Sequence, residues 1–103
     1  IFGVRGEGVA CPTTNSGFFT SIKECGDVMG IFVGHDHDND YALMYKEVLL
    51  AYGRYTGGNT VYNDIANGAR VVILKEGERK FDSYIRLTGG EIESRISYPD
   101  SFK

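Results

Sequence analysis

The sequence VMGIFVGHDHDND, residues 28–40, carries the two patterns on which the fold assignment depends. Its first six residues form a continuous apolar run, which in a chain of this size predicts a strand buried on both faces. The run ends at Gly34, and a polar loop with histidines at alternating positions, His35 and His37, follows at once. Successive side chains diverge on an extended strand, whereas a turn lets both imidazoles approach one centre. The stretch therefore predicts a buried strand that delivers two metal-binding side chains to its end.

Short apolar runs flank this stretch on both sides. Residues 18–26 have apolar side chains at helical spacing and predict one short helix, with Ser16 as its N-cap and Gly26 at its C-terminal end. Residues 41–52 predict two strands joined by a tight charged turn at residues 46–47, and a helix is the alternative interpretation.

Further strands are indicated towards the C-terminus. Residues 69–74 predict another buried strand, and the alternation in residues 81–87 is typical of a half-exposed strand. A Gly-Gly turn at residues 89–90 predicts a hairpin into residues 91–97. Residues 52–68 are rich in Gly, Asn and Thr and predict a long loop, a type of segment that is often functional or disordered. The chain is therefore expected to be rich in β-structure.

Composition narrows the classes of function. The chain has 103 residues, 42% of them hydrophobic and 24% charged, as expected for one soluble domain. Its formal net charge of -3 comes without a Lys/Arg cluster, so a nucleic-acid-binding signature is missing. No run approaches the roughly 20 apolar residues that a membrane-spanning helix needs. The first residue is not Met, which suggests a piece of something longer, and the cellular compartment stays open.

Cys11 and Cys25 are too few for a disulfide scaffold and lack the Cys-x-x-Cys spacing of zinc or redox sites. We expect two small buried hydrophobic residues. A disulfide between them, in an oxidising compartment, is the alternative.

The acidic residues after His35 allow a second interpretation. Asp36, Asp38, Asp40 and Glu47 match positions 1, 3, 5 and 12 of an EF-hand calcium loop. Position 6 of that loop needs glycine for its sharp turn and is Tyr41 here, and the preceding residues predict a strand where an EF-hand has a helix. A calcium-binding module therefore stays as the alternative to a transition-metal site.

Five sequence blocks, in order along roughly residues 6–75, carry a family resemblance. They are NSGFF at 15–19, GDV at 26–28, GIFVGHDHxND at 30–40, YGRxTG at 52–57 and GARV at 68–71. A lone Gly-His-x-His is only suggestive, but five blocks in this order resemble the C-terminal region of the calcineurin-like metallophosphoesterases, in the branch close to purple acid phosphatases.

The resemblance implies an α/β fold class. The chain would be a single partial domain, residues 1–103, forming the β-rich C-terminal part of a metallophosphoesterase β-sandwich flanked by helices. Its strands would be mostly antiparallel, with one short helix near residues 17–26.

The same resemblance implies a dinuclear site of two divalent or trivalent ions, Mn, Zn or Fe, that hydrolyses phosphate esters. It assigns His35 and His37 as metal ligands divided between the two ions. Asp36 would support the ligands from between them, and Asn39 and Asp40 would hold the loop.

Two further residues are expected on the substrate side of such a site, and neither is assigned as catalytic. Arg54 has a guanidinium suited to phosphate, and Asn15 lies in the first of the matched blocks.

The family's other ligands come from motifs of the Asp-x-His, Gly-Asp-x-x-Asp and Gly-Asn-His type, which this sequence lacks. Two histidines cannot complete two adjacent metal sites, so the isolated chain is expected to be inactive. Its expected partners are a phosphoester substrate and either the missing N-terminal half of the same domain or a second copy of itself. A non-catalytic, β-rich oligomerisation fragment is the remaining alternative.

Overall fold

The computed structural model describes residues 1–57 and 65–103. Within these ranges the chain forms one α-helix, six β-strands and a short 3-10 helix. The elements are α1 (Phe18–Cys25), β1 (Gly30–Val33), β2 (Ala42–Tyr45), β3 (Val48–Tyr52), β4 (Gly68–Leu74), β5 (Phe81–Leu87), β6 (Ile92–Tyr98) and the 3-10 helix Asp100–Phe102. The sequence predicted a long loop at residues 52–68. Its central part, residues 58–64, lies outside the described residues. Residues 53–57 and 65–67, on either side of this part, form no helix or strand.

The strands form two three-stranded sheets. The first has the order β1-β3-β2, with β3 in the centre, parallel to β1 and antiparallel to β2. The second is an antiparallel meander, β4-β5-β6. The predicted β-rich chain with one short helix and mostly antiparallel strands is confirmed. The parallel pair is the exception, and it places the C-terminal ends of β1 and β3 at the same edge of the sheet.

The turn between β2 and β3 is the tight charged turn that the sequence predicted, and the helical alternative is wrong. Lys46 and Glu47 both have positive φ values, 47° and 70°. Two-residue hairpin turns favour this left-handed backbone because its twist matches that of the flanking strands.

The core lies between the two sheets. Leu49 and Ala51 of β3 and Ala42 of β2 pack with residues of the second sheet. Phe81 and Tyr98 belong to this core, with ring centroids 5.0 Å apart in a stacked arrangement. Burial of this apolar surface is the main stabilising contribution that the two sheets make to each other.

Two predictions of burial are wrong. Phe32 and Val33 at the end of β1 are 41% and 48% exposed, and Ile73 and Leu74 at the end of β4 are 41% and 71% exposed. Both strands lie at sheet edges in the described part of the chain, but so do β2 and β6, in which Ala42 and Ile96 are buried. An apolar run identifies a strand but does not say whether other elements cover both of its faces.

The predicted helix is confirmed, but its N-cap is Gly17 and not Ser16. Gly17 has φ 87° and forms no side-chain cap, and Gly26 ends the helix with φ 77°, as expected. None of the helical residues is buried. The expectation of buried cysteines is therefore wrong: Cys25 lies on this exposed helix, Cys11 lies in the exposed N-terminal segment, and both are free thiols.

No helix in the described part of the chain is long and apolar enough to cross a membrane.

Leu49→Ala should lower the free energy of unfolding by about 2 to 5 kcal/mol, because it deletes a fully buried side chain in the central strand. Leu74→Ala is the matched control, since Leu74 is 71% exposed, and its effect should stay within about 0.5 kcal/mol. Urea denaturation of the chain followed by circular dichroism measures both. Equal losses in the two variants would contradict the assignment of the core.

Candidate metal-binding site

The N-terminal segment lies against the polar loop that follows β1. Phe2 and Ala42 exchange two backbone hydrogen bonds of 2.9 and 2.8 Å, and the Gly6 N–H donates to the carbonyl of Asp38 at 2.9 Å. A Cβ at Gly6 would lie 2.6 Å from that carbonyl oxygen, so the close approach requires glycine at this position. The loop is therefore held by a backbone segment more than thirty residues away in sequence.

Asp40 is the most constrained residue of this loop. It is fully buried, and one carboxylate oxygen accepts the N–H of Val4 at 2.6 Å. The other accepts Arg54 Nε at 3.1 Å and a second nitrogen of the same guanidinium. The Asp40 carbonyl accepts the Arg70 guanidinium at 2.7 Å. Burial lowers the pKa of Arg70, while the charge of Asp40 acts in the opposite direction.

Arg54 is buried, and its guanidinium bonds within the fold. Besides Asp40, it donates to the carboxylate of Glu93 on β6 and to the carbonyl of Ala66 at 2.5 Å. The guanidinium therefore joins the loop to the second sheet. A buried charge needs partners of this kind, because desolvation without them costs several kcal/mol.

Asn39 connects the loop to the N-terminal segment. Its side chain is almost fully buried, and the amide oxygen accepts the N–H groups of Gly6 and Glu7, each at 3.0 Å. The Glu7 carboxylate in turn accepts the Asp38 N–H at 2.7 Å. These contacts fix the part of the loop that follows the histidines.

Asp36 lies between the two histidines and points inward. One carboxylate oxygen accepts the Tyr52 hydroxyl at 2.6 Å and the Ala10 N–H at 3.2 Å. The other oxygen is 3.2 Å from Nδ1 of His35. The hydrogen bond from Tyr52 holds the pKa of Asp36 below its ordinary value, although burial acts against it. Burial raises the pKa of Tyr52 to about 12, and the hydrogen bond to Asp36 adds to this shift.

The two imidazoles differ in their surroundings. The His35 side chain is 81% exposed, and its backbone adopts φ 78°, so the turn expected at Gly34 is made at His35 itself. Left-handed backbone is uncommon outside glycine, but histidine tolerates it better than most residues. The His37 ring is more buried and contacts the Tyr55 ring, with centroids 4.6 Å apart.

One open cavity of about 220 Å³ brings four of the predicted site residues together. It is lined by His35, Asp36, His37 and Arg54, together with Tyr55 and neighbouring backbone. Asn39 and Asp40 are not among its lining residues. Asn15 lies on an exposed turn before α1, where its side-chain oxygen accepts the Gly17 N–H at 2.9 Å. The substrate-side role expected for Asn15 and Arg54 stays a prediction.

The donor set fits part of a transition-metal site. Two imidazoles line the cavity, and a carboxylate lies against one of them, as is common around metal-binding histidines. Within residues 1–57 and 65–103, no group of three or more His, Cys, Asp or Glu side chains is placed to hold a metal ion. The described residues can therefore supply ligands to such a site but not complete it.

The calcium alternative does not agree with the geometry. Glu47, which would close an EF-hand loop, lies in the β2–β3 turn with a 92% exposed side chain, 3.8 Å from Lys23. The Asp40 carboxylate forms an ion pair with Arg54, and the Asp36 carboxylate accepts the Tyr52 hydroxyl. The carboxylates of Asp36 and Asp40 thus bind donors from within the fold.

Sequence reasoning did not identify Tyr52 and Tyr55 as part of this site. The parallel pairing of β1 and β3, which sets Val33 opposite Tyr52, carries both tyrosines to the histidine loop. The carboxyl ends of adjacent parallel strands meet at one sheet edge, so recognition of the parallel pair was the signal that could have found them.

Comparison with known proteins finds curated relatives of part of the chain. One, from Arabidopsis thaliana, is named probable inactive purple acid phosphatase 14 and is 46% identical over 73 residues, covering 71% of this chain and 18% of the relative. Another from the same plant, probable inactive purple acid phosphatase 29, is 53% identical over 51 residues, covering 50% of this chain and 13% of the relative. The matches thus span less than a fifth of these relatives' length. No family model and no solved structure matches the chain.

Asp40→Asn should lower the free energy of unfolding by about 3 to 5 kcal/mol, because it leaves the Arg54 guanidinium buried without its main counter-charge. Glu47→Gln removes a carboxylate that is almost fully exposed and is the control, with an expected loss below about 1 kcal/mol. Denaturant titration measures both variants. A small loss in Asp40→Asn would show that the ion pair does not hold the loop.

The Tyr52 phenol should ionise near pH 12 in the folded chain, against 10.0 for an ordinary tyrosine. Its folded pKa is raised, so its contribution to stability is fully present below pH 10 and is lost as pH rises towards 12. The tyrosinate absorbance of the wild type minus that of Tyr52→Phe isolates this one titration. A midpoint near 10 in the difference curve would contradict the burial of the Tyr52 phenol and its hydrogen bond to Asp36.

Proposed function

We propose that this chain, a relative of the purple-acid-phosphatase-like proteins, is the C-terminal part of a metal-dependent phosphoesterase domain of the calcineurin-like type. In this proposal His35 and His37 each bind one ion of a metal pair. The observation that carries it is the cavity that both His35 and His37 line, at the end of a strand in a chain related to phosphatases.

The chain's own residues would divide the work at this site. His35 and His37 would bind the ions, and Asp36 would hold the loop between them. Arg54 lines the cavity but bonds Asp40, Glu93 and Ala66, so in this proposal it fixes the cavity wall. When bound, a pair of Mn, Zn or Fe ions would supply an activated water and neutralise negative charge on the phosphoryl group of a phosphoester substrate.

The remaining ligands would come from outside these 103 residues, because two imidazoles cannot fill the coordination of two ions. We propose the N-terminal half of the same domain as their source. That half would also cover an apolar groove of about 280 Å³ on the outer face of the first sheet, lined mainly by side chains of β1, β2 and β3. Self-association is the alternative way to cover this groove.

The names of these relatives include the word inactive. Metal binding and hydrolysis of a phosphoester are therefore tested separately. The proposal requires metal binding by both histidines. It predicts hydrolysis only when the completed domain also has every other catalytic group. Metal content is therefore the primary measurement and activity the secondary one.

A non-catalytic oligomerisation fragment is a second candidate, favoured by the exposed apolar side chains. Val33 on β1, Leu74 on β4 and Ile92 on β6 are each more than 40% exposed. Exposed apolar surface of this kind often marks an interface. In that case neither metal ions nor the histidines would change assembly or stability.

A chimera tests the first candidate. This chain replaces the matching segment of probable inactive purple acid phosphatase 14, and the protein is prepared with manganese, zinc and iron. The wild-type chimera should hold about two metal ions, and His35→Ala or His37→Ala should each lower the content to about one. Any hydrolysis of an aryl phosphate by the chimera should be lost in His37→Ala.

Glu47→Gln is the control for the chimera, since Glu47 lies outside the cavity and should leave metal content unchanged. Full metal content in both histidine variants would refute the proposal. Sedimentation of the chain alone, with and without zinc, tests the second candidate: a stable oligomer that zinc and His37→Ala leave unchanged would favour it.

A further inference from the structure

We propose that Tyr52 and Tyr55 are positioning residues for the two imidazoles. Tyr52 acts on His35 through Asp36, and Tyr55 acts on His37 through direct ring contact. The inference rests on the proposed metal-binding function of the histidines. It adds that the end of β3 and the segment that follows it set the direction in which the histidine loop presents the imidazoles.

Tyr52 is the last residue of β3 and is buried. The parallel register sets it opposite Val33, two residues before His35. Its hydroxyl donates to Asp36 at 2.6 Å, and the Ala10 N–H donates to the same oxygen at 3.2 Å. These two donors fix the carboxylate, so that its second oxygen stays 3.2 Å from Nδ1 of His35. A hydrogen bond to a charged acceptor is stronger than a neutral one, which makes this connection stiff.

Tyr55 holds the second imidazole by a different interaction. Its ring centroid is 4.6 Å from that of His37, with an angle of 38° between the ring planes. The Tyr55 carbonyl accepts the N–H of Gly68 at the start of β4, at 3.1 Å, which anchors its backbone to the second sheet. A Cβ at Gly57 would collide with the Tyr55 hydroxyl, so glycine leaves room for this ring position. The contact needs an aromatic ring but not the hydroxyl.

The value of such positioning is the preorganisation of ligands. A histidine on a polar loop samples several rotamers, and fixing it on metal binding costs conformational entropy. Groups that hold a ligand from behind reduce this cost, and their removal typically lowers metal affinity by about 10- to 100-fold. Each tyrosine contacts a different imidazole or its support, so their removal should have separable effects.

Four variants of the chain distinguish the two positioning roles. Tyr52→Phe removes only the hydrogen bond to Asp36, Tyr55→Leu removes the ring over His37, and Tyr55→Phe keeps that ring. Tyr98→Phe is the matched control: the Tyr98 hydroxyl donates to the carbonyl of Glu47 at 2.9 Å, outside the histidine cavity. Each variant is first checked for folding by its backbone amide spectrum.

The first measurement is the nitrogen-15 NMR spectrum of the imidazole rings in the metal-free chain. Tyr52→Phe should shift the His35 ring signals and leave those of His37 in place. Tyr55→Leu should do the reverse, and Tyr55→Phe and Tyr98→Phe should leave both histidines largely unchanged. Ring signals of His35 and His37 that stay in place in Tyr52→Phe and Tyr55→Leu would overturn the inference.

The second measurement is a zinc titration of the same variants in the chimera with probable inactive purple acid phosphatase 14, because the two imidazoles of this chain cannot complete a metal site alone. Tyr52→Phe and Tyr55→Leu should each weaken zinc binding by about tenfold or more, and Tyr55→Phe should restore wild-type affinity. His35→Ala and His37→Ala distinguish a failure of the proposed metal-binding function from a failure of the positioning inference. If neither histidine variant weakens zinc binding, the proposed function fails; if both do and neither Tyr52→Phe nor Tyr55→Leu does, only the positioning inference fails.

If Tyr52→Phe prevents folding, Asp36→Asn tests the same connection from its other end. This variant keeps the shape of the side chain and removes its charge. It should shift the His35 ring signals and weaken zinc binding by a similar factor. Unchanged His35 signals in a folded Asp36→Asn chain would overturn the Tyr52 arm.

Discussion

The buried carboxylate of Asp40 is the contact on which the arrangement of the candidate site depends. It accepts hydrogen bonds from the backbone N–H of Val4 in the N-terminal segment and from the guanidinium of Arg54. Arg54 in turn donates to Glu93 in the second sheet. Four separate parts of the chain therefore meet at one charge. A buried ion pair adds little net stability compared with apolar packing, but the loss of one partner is costly, so the pair specifies this arrangement more than it strengthens it.

The histidine loop, residues 34–40, contains side chains that point into the protein and side chains that face the solvent or the cavity. Asp36, Asn39 and Asp40 point into the protein and bind donors from elsewhere in the fold, whereas His35 is exposed. These inward-pointing side chains hold the backbone of the loop, and His35, Asp36 and His37 line the cavity. In the proposed function, such a loop would present both imidazoles from a backbone that is already held in place, and ligands from elsewhere would complete the site.

The sequence predicted the local elements well and their surroundings poorly. The β2–β3 hairpin and the strand β5 were found because turn residues and alternation act over a few positions. The exposure of β1 and β4 was missed, because it depends on whether other elements of the fold cover both faces of these strands. Cys25 was expected inside and lies outside, because the pattern that predicted α1 does not show that the helix rests on the surface without a buried residue.

By itself, the sequence predicted the approximate positions of the strands along the chain, the histidine loop that follows β1, and the protein family that the chain resembles. These properties depend on neighbours along the chain and on the order of short motifs. Only the tertiary structure decided the use of each carboxylate: Asp36 supports His35 with help from Tyr52, and Asp40 is neutralised by Arg54. The two aspartates have the same side chain, and their roles differ because one accepts a neutral hydroxyl and the other a guanidinium, both from a distant part of the chain.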